Sequence, residues 1–185
     1  MRVISGKYKS RRLKTVPSQK TRPTTDKNKE NLFNIIQRYL NGGTVLDLFG
    51  GSGGLGIEAI SRGMDTLYVC DKSYQAYKVI KENIEALHIL NAYPLKMDYR
   101  KALSYLKEQE IKFDLILLDP PYSMKVNKDI ILFMQEAGML NDKCIIVTED
   151  LYEEKMILDK HFHTIKEIVY GITMLQIFEY RKLTI

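Results

Sequence analysis

The chain has 185 residues, a net charge of +5, 45% hydrophobic residues and two cysteines. That length fits one domain burying about 70% of its unfolded surface, so neither disulfides nor a structural metal are needed for stability. No apolar run approaches the ~18 residues of a membrane span, and the N-terminal residues lack a signal-peptide core, so a cytoplasmic protein without membrane contact is expected.

Residues 1–30 carry ten Lys or Arg against Asp26 and Glu30, a local charge of +8, whereas the remainder, with 18 basic and 21 acidic residues, is −3. Arg2, Lys7, Lys9, Arg11, Arg12 and Arg22 belong to this basic arm. Such an arm attracts phosphates with an affinity that falls as salt rises, which makes nucleic acid the expected partner. Val3, Ile4, Tyr8, Leu13 and Val16 lie between the charges and allow a hairpin. The expected division is a basic arm or hairpin over 1–25, contacting RNA, and one domain over 26–185.

A helix capped by Thr24 or Thr25 follows, with Leu32, Phe33, Ile35, Ile36, Tyr39 and Leu40 on its apolar face up to Asn41-Gly42-Gly43. The apolar run 44–49 reads as a buried strand, and Gly50-Gly51-Ser52-Gly53-Gly54-Leu55-Gly56 follows it. A helical pattern then runs from Ile57 to Gly63. Strand, glycine loop and helix form the first turn of doubly wound folds, where a nucleotide approaches the backbone too closely for a Cβ. Residues 51–56 also satisfy the G-x-G-x-x-G dinucleotide template, a weak match in so glycine-rich a loop. Asp47, four residues before Gly51, would repel a pyrophosphate and suits the cationic methionine end of S-adenosylmethionine.

The next strand, 66–70, ends at Asp71, 24 positions after Asp47 and placed to bind ribose hydroxyls. A helix over 73–90 leads to a short strand, 93–97, ending at Asp98. That carboxylate either reaches an adenine amino group or caps the following helix, 99–110. The strand 113–118 ends at Asp119-Pro120-Pro121-Tyr122. The two prolines stiffen the backbone. The Asp119 carboxylate and Pro120 carbonyl suit the exocyclic amine of a flat base, on which Tyr122 can stack for about 1–3 kcal/mol. A helix over 126–139, a fifth parallel strand over 143–148 and a helix over 153–161 come next. Strands 164–170 and 173–180, parted by Gly171, close the chain as an antiparallel hairpin.

This alternation implies an α/β, Rossmann-like fold: an open, mostly parallel seven-stranded sheet with helices on both faces, a C-terminal antiparallel hairpin and a basic N-terminal extension. Asp47, Asp71, Asp98 and Asp119 all fall near strand carboxyl ends, where ligands bind such sheets. Cys70 and Cys144 read as buried, reduced core residues. His161 and His163 lack further ligands in the sequence and read as a solvated strand face, so no metal is expected.

These residues together resemble the class I S-adenosylmethionine-dependent methyltransferases, and more narrowly the RsmD family of 16S rRNA guanine-N2 methyltransferases. The likeness covers Arg2-Val3-Ile4-Ser5-Gly6-Lys7-Tyr8, Thr21-Arg22-Pro23-Thr24, Leu32-Phe33-Asn34, Asp47-Leu48-Phe49, Gly51-Ser52-Gly53 and Leu55-Gly56-Ile57-Glu58-Ala59. It continues through Ser61-Arg62-Gly63, Asp119-Pro120-Pro121-Tyr122 and Tyr170-Gly171-Ile172-Thr173. Gly50 and Ile172 depart from the family's usual alanine and polar residue. The resemblance implies that Asp47, Gly51, Ser52, Gly53 and Gly56 hold the methionine part of the cofactor, Asp71 the ribose and Asp98 the adenine. It implies that Asp119, Pro120, Pro121 and Tyr122 receive the target guanine, of the guanine-966 type. Arg22 and the arm would position 16S rRNA within the small ribosomal subunit or an assembly intermediate. Nothing demands a dimer, so a monomer is expected. The rival readings are an adenine-N6 methyltransferase, an NAD-dependent oxidoreductase and a catalytically dead RNA-binding module.

Overall fold

Three short parallel strands form the sheet of a first compact unit, Met1–Ala102. The computed structural model describes residues 1–17 and 25–183, so Thr21-Arg22-Pro23-Thr24, with the expected RNA contact at Arg22, lies outside the described residues. Strands β1 (Thr44–Asp47), β2 (Thr66–Asp71) and β3 (Ala92–Lys96) lie in the order β3-β2-β1, with Thr44 opposite Thr66 and Leu67 opposite Ala92. Val45, Leu46, Leu67 and Val69 are fully buried, as central parallel strands require. Helices α1 (Asp26–Ile36), α2 (Gly54–Ser61) and α3 (Tyr74–Ala86) belong to this unit, and α4 (Tyr99–Glu108) runs across its boundary.

Side-chain caps set the helix starts. Thr25 Oγ1 accepts from Asn28 N (3.2 Å) and Ser73 Oγ from Ala76 N (3.3 Å). Helix α3 stops short of residue 90 because His88 turns into the left-handed region (φ 54°), which leaves Leu90 88% exposed. The arm over 1–13 is a packed hairpin. Arg2 bridges Arg12 in antiparallel fashion, Val3 N donates to Arg11 O (2.9 Å), and Val3 and Leu13 are buried. Lys7 N and Tyr8 N donate to Ser61 O (2.8 Å) and Ser61 Oγ (2.9 Å), so the arm docks on the end of α2. Gly6 allows this approach: its φ is +86°, and a Cβ there would overlap the Ser61 carbonyl.

A buried charge cluster completes the docking. Glu58, fully buried on α2, accepts from Ile4 N (2.9 Å), Ser5 N (3.1 Å) and Arg62 Nε (2.8 Å). Lys29 Nζ lies 3.7 Å from Glu58 Oε2 and donates to Arg2 O (2.6 Å).

The second unit, Leu103–Ile185, contains β4 (Phe113–Leu118), α5 (Asn127–Glu136), β5 (Leu140–Leu151), β6 (Phe162–Tyr170) and β7 (Thr173–Tyr180). Its strand order is β4-β5-β7-β6. Strands β4 and β5 are parallel, and β7 is antiparallel to both its neighbours. Gly171, at φ +62°, makes the β6–β7 turn.

Two differences from the sequence expectation have local causes. Strand β5 is twelve residues rather than six. Lys143 (φ 64°) marks an irregularity that lets Leu140 pair with Phe113 upstream of the regular ladder, while Glu149–Leu151 extends along β7. The helix expected over 153–161 is a single 3₁₀ turn, Tyr152–Glu154. The buried Gln176 side chain accepts from Met156 N (2.9 Å) and donates to Met156 O (3.1 Å), which removes that peptide from a helical ladder.

Within each unit the strand directions match the open, mostly parallel α/β sheet with a C-terminal antiparallel pair. Both cysteines are free and buried, and burial pushes the Cys70 thiol up to about 12. Among the described residues no helix is long and apolar enough to cross a membrane.

Candidate active site

Asp47 ends β1 with 2% exposure, and its Oδ2 accepts from Gly56 N (3.1 Å) at the start of α2. Burial raises this carboxyl to about 7; the Gly56 bond opposes the rise and nearby Asp71 adds to it. The close approach depends on Gly56, where a Cβ would stand 2.6 Å from Leu67 Cδ1 and 3.3 Å from Asp47 Cβ.

The loop before α2 is fixed from the next strand. Gly50 N donates to Cys70 O (2.7 Å), and Gly51 N donates to Asp71 Oδ2 (3.0 Å). Asp71 Oδ1 accepts from Ser73 N (2.9 Å), which ties the carboxylate to the α3 start. Gly51 has φ +56° and no atom within 4 Å of where its Cβ would stand, so the backbone turns there beside open space. Gly53 is also left-handed (φ +81°) and buried. Ser52 accepts from Val16 N at its Oγ (3.0 Å). Asp98 Oδ1 accepts from Arg100 N (3.0 Å) and so begins α4.

This arrangement fits a cationic nucleoside ligand. A buried carboxylate, in no ion pair among the described residues, is bonded to Gly56 at the end of the glycine loop, and that loop turns beside open space at Gly51. Four residues expected from sequence at this site are joined by direct hydrogen bonds in two pairs, Gly51 with Asp71 and Gly56 with Asp47.

In the second unit, half-buried Asp119 follows β4, Pro120 is buried, and Pro121 and Tyr122 are exposed. A 3₁₀ turn, Tyr122–Met124, folds the segment back, with Met124 N donating to Pro121 O (2.9 Å). The Tyr122 ring is 42% exposed and its hydroxyl donates to Glu149 Oε1 (3.1 Å). Partial burial and the Glu149 carboxylate push that phenol up to about 12, so it stays protonated. Asn127, 1% exposed, donates to Asp150 Oδ1 (2.9 Å) and Glu149 O (3.3 Å) and holds the end of β5 that carries Glu149.

Arg2, Lys7, Lys9, Arg11 and Arg12 are all exposed. Arg2 Nε lies 3.7 Å from Asp26, Arg11 donates to Ala86 O (3.0 Å), and Lys7 Nζ stands 5.3 Å from the Tyr8 ring. These exposed cations are therefore carried on a packed hairpin. His161 Nδ1 contacts Asp159 (2.9 Å), and among the described residues no group of three or more His, Cys, Asp or Glu could hold a metal.

Glu58, Asn83 and Glu149 escaped the sequence reading. Only Glu58 left a signal there, its four-residue spacing to Arg62, and that spacing reads equally as a solvated helix pair.

The family described as conserved hypothetical protein 95 matches residues 1–179. A Bacillus subtilis (strain 168) protein named putative rRNA methyltransferase YlbH is 41% identical over 184 residues, covering 98% of this chain and 100% of that protein. Ribosomal RNA small subunit methyltransferase D of Escherichia coli (strain K12) is 31% identical, covering 83% of this chain and 76% of that protein. The solved structure of a putative methyltransferase, yhhF, from Escherichia coli has a TM-score of 0.85 at 26% identity, covering 99% of both chains. A backbone match over nearly the whole chain establishes the Rossmann-like methyltransferase fold. The chain belongs to the conserved hypothetical protein 95 family, that of the RsmD-type rRNA methyltransferases.

Proposed function

We propose that this protein methylates the exocyclic N2 amine of a guanine in 16S rRNA, of the guanine-966 type, in the small ribosomal subunit or an assembly intermediate. The cofactor is S-adenosylmethionine. The observation that carries the reading is the buried Asp47 carboxylate bonded to Gly56 at the end of the glycine loop, in a chain 41% identical to a putative rRNA methyltransferase.

The cofactor supplies its methyl group as a sulfonium electrophile. Asp47 and the loop Gly51, Ser52, Gly53 and Gly56 hold its methionine part, Asp71 the ribose and Asp98 the adenine. The acceptor amine is a weak nucleophile because its lone pair is delocalised into the ring. Hydrogen bonds from that amine to the Asp119 carboxylate and the Pro120 carbonyl favour a pyramidal nitrogen and meet the charge developing on it. When the bound cofactor supplies its methyl group, Asp119 and the Pro120 carbonyl would be the groups toward which the amine proton leaves. Pro121 stiffens the turn, and the exposed Tyr122 face holds the extruded base. Arg2, Lys7, Lys9, Arg11, Arg12 and Arg22 contact the RNA backbone, which positions without reading sequence.

The proposed division is an arm over 1–25 and a methyltransferase domain over 26–185, acting as a cytoplasmic monomer without metal. The deciding experiment is methyl transfer from labelled S-adenosylmethionine to small subunits lacking the modification, followed by nucleoside analysis. N2-methylguanosine at one position is expected, and Asp119→Ala abolishes it. Label in N6-methyladenosine, or turnover undiminished in Asp119→Ala, would overturn the reading.

A further inference from the structure

One side chain reaches both the basic arm and the cofactor loop. Asn83, on α3 and 3% exposed, donates from Nδ2 to Lys14 O (3.0 Å) and to Ser52 O (2.9 Å), and its Oδ1 accepts from Lys14 N (2.8 Å). A fourth bond closes the circuit, from Val16 N to Ser52 Oγ (3.0 Å). Both amide protons of Asn83 and one of its acceptor positions are used. The helix itself does not need an asparagine, a middling helix former, at this position.

We infer that Asn83 is a positioning residue that couples nucleic-acid binding on the arm to S-adenosylmethionine binding in the glycine loop. The inference rests on the proposed function. Lys14 follows Arg11 and Arg12, so phosphates bound there oppose release of the 14–16 segment from α3. While that segment stays docked, Ser52 is held at its carbonyl by Asn83 and at its hydroxyl by Val16. When it leaves, Ser52 loses the Val16 bond and Asn83 loses two of its three. The loop then spends less time in the shape that holds the cofactor, and apparent affinity falls with that fraction. Because linkage is reciprocal, cofactor binding tightens RNA binding by the same factor.

The test measures cofactor affinity by calorimetry at fixed salt, with and without saturating 16S rRNA transcript. It uses the full chain as wild type, Asn83→Ala and Val16→Pro. Val16→Pro removes the N–H that reaches Ser52, exchanges the half-buried valine side chain and leaves every charge of the arm in place, so it carries the test even if Asn83→Ala does not fold. The wild type should bind the cofactor at least fivefold tighter with RNA. Both variants should bring that ratio close to one while still binding RNA. A purely structural Asn83 would lower the melting temperature and leave the ratio intact, which would overturn the inference, as would a ratio of one in the wild type. Absence of any cofactor binding by the wild type would instead sink the functional reading beneath it.

Discussion

Asp47→Asn separates what the fold tolerates from what the cofactor requires. Burial moves this carboxyl from 3.8 to about 7. At ~1.4 kcal/mol per pH unit, holding it ionised inside the cofactor-free protein costs roughly 4 kcal/mol. The protonated form's contribution to stability is complete below pH 3.8 and is lost as pH rises to about 7, because the folded state keeps the proton over that window and the unfolded state does not. The neutral amide escapes this loss. Cofactor-free Asp47→Asn should therefore melt higher than wild type at pH 8 and show no advantage near pH 4. Binding runs the other way, since a cationic ligand favours the ionised carboxylate. Calorimetric titration with S-adenosylmethionine from pH 5.5 to 8 should show wild-type affinity rising up to about tenfold per pH unit until about 7 and then levelling. The variant should bind weakly, without that slope. A flat wild-type profile, or a variant no more stable than wild type at pH 8, would refute the argument.

Other substitutions probe the remaining features. Glu58→Ala leaves Lys29 and Arg62 buried without their carboxylate partner and two arm N–H groups without an acceptor, so urea denaturation should show a loss of about 3–5 kcal/mol. Tyr122→Phe removes the hydroxyl's bonds to Glu149 and Thr173 and should retain most turnover, whereas Tyr122→Ala should lose about 1–3 kcal/mol of base stacking in kcat/KM. Changing Lys7, Lys9, Arg11 and Arg12 to Gln should flatten the salt dependence of RNA binding by about 0.7–0.9 in log–log slope for each phosphate that is no longer neutralised. The melting temperature should stay nearly unchanged, because all four side chains are exposed.

Central strands and their terminal acids were legible in sequence because buried parallel strands are short apolar runs that end at polar turns. Asp71 stands where that pattern places it, Asp47 closes a strand two residues shorter than the run 44–49, and Val3 and Leu13 anchor the arm as their apolar character suggested. Local pattern failed where a distant side chain decides the backbone. Residues 153–161 resemble a helix until Gln176, twenty positions from Met156, occupies that peptide. Asn83 reads as an ordinary polar position because its partners lie 31 and 69 residues away. Glu149 met Tyr122 only because β5 runs on past Thr148, an extension set by its pairing with β7.

The docked arm also sets an order of assembly. Ile4, Ser5 and Tyr8 find their acceptors on Glu58 and Ser61, 53 or 54 positions later in the chain. Closing so large a loop costs entropy before any of these bonds repays it, so docking belongs on the late side of the folding barrier. Mutations in the arm should then speed unfolding more than they slow folding, an asymmetry visible in the two limbs of a chevron plot. A newly made chain would carry its strongest concentration of positive charge undocked until α2 had been synthesised. The most basic segment of the chain is thus the last of the first unit to be tied down.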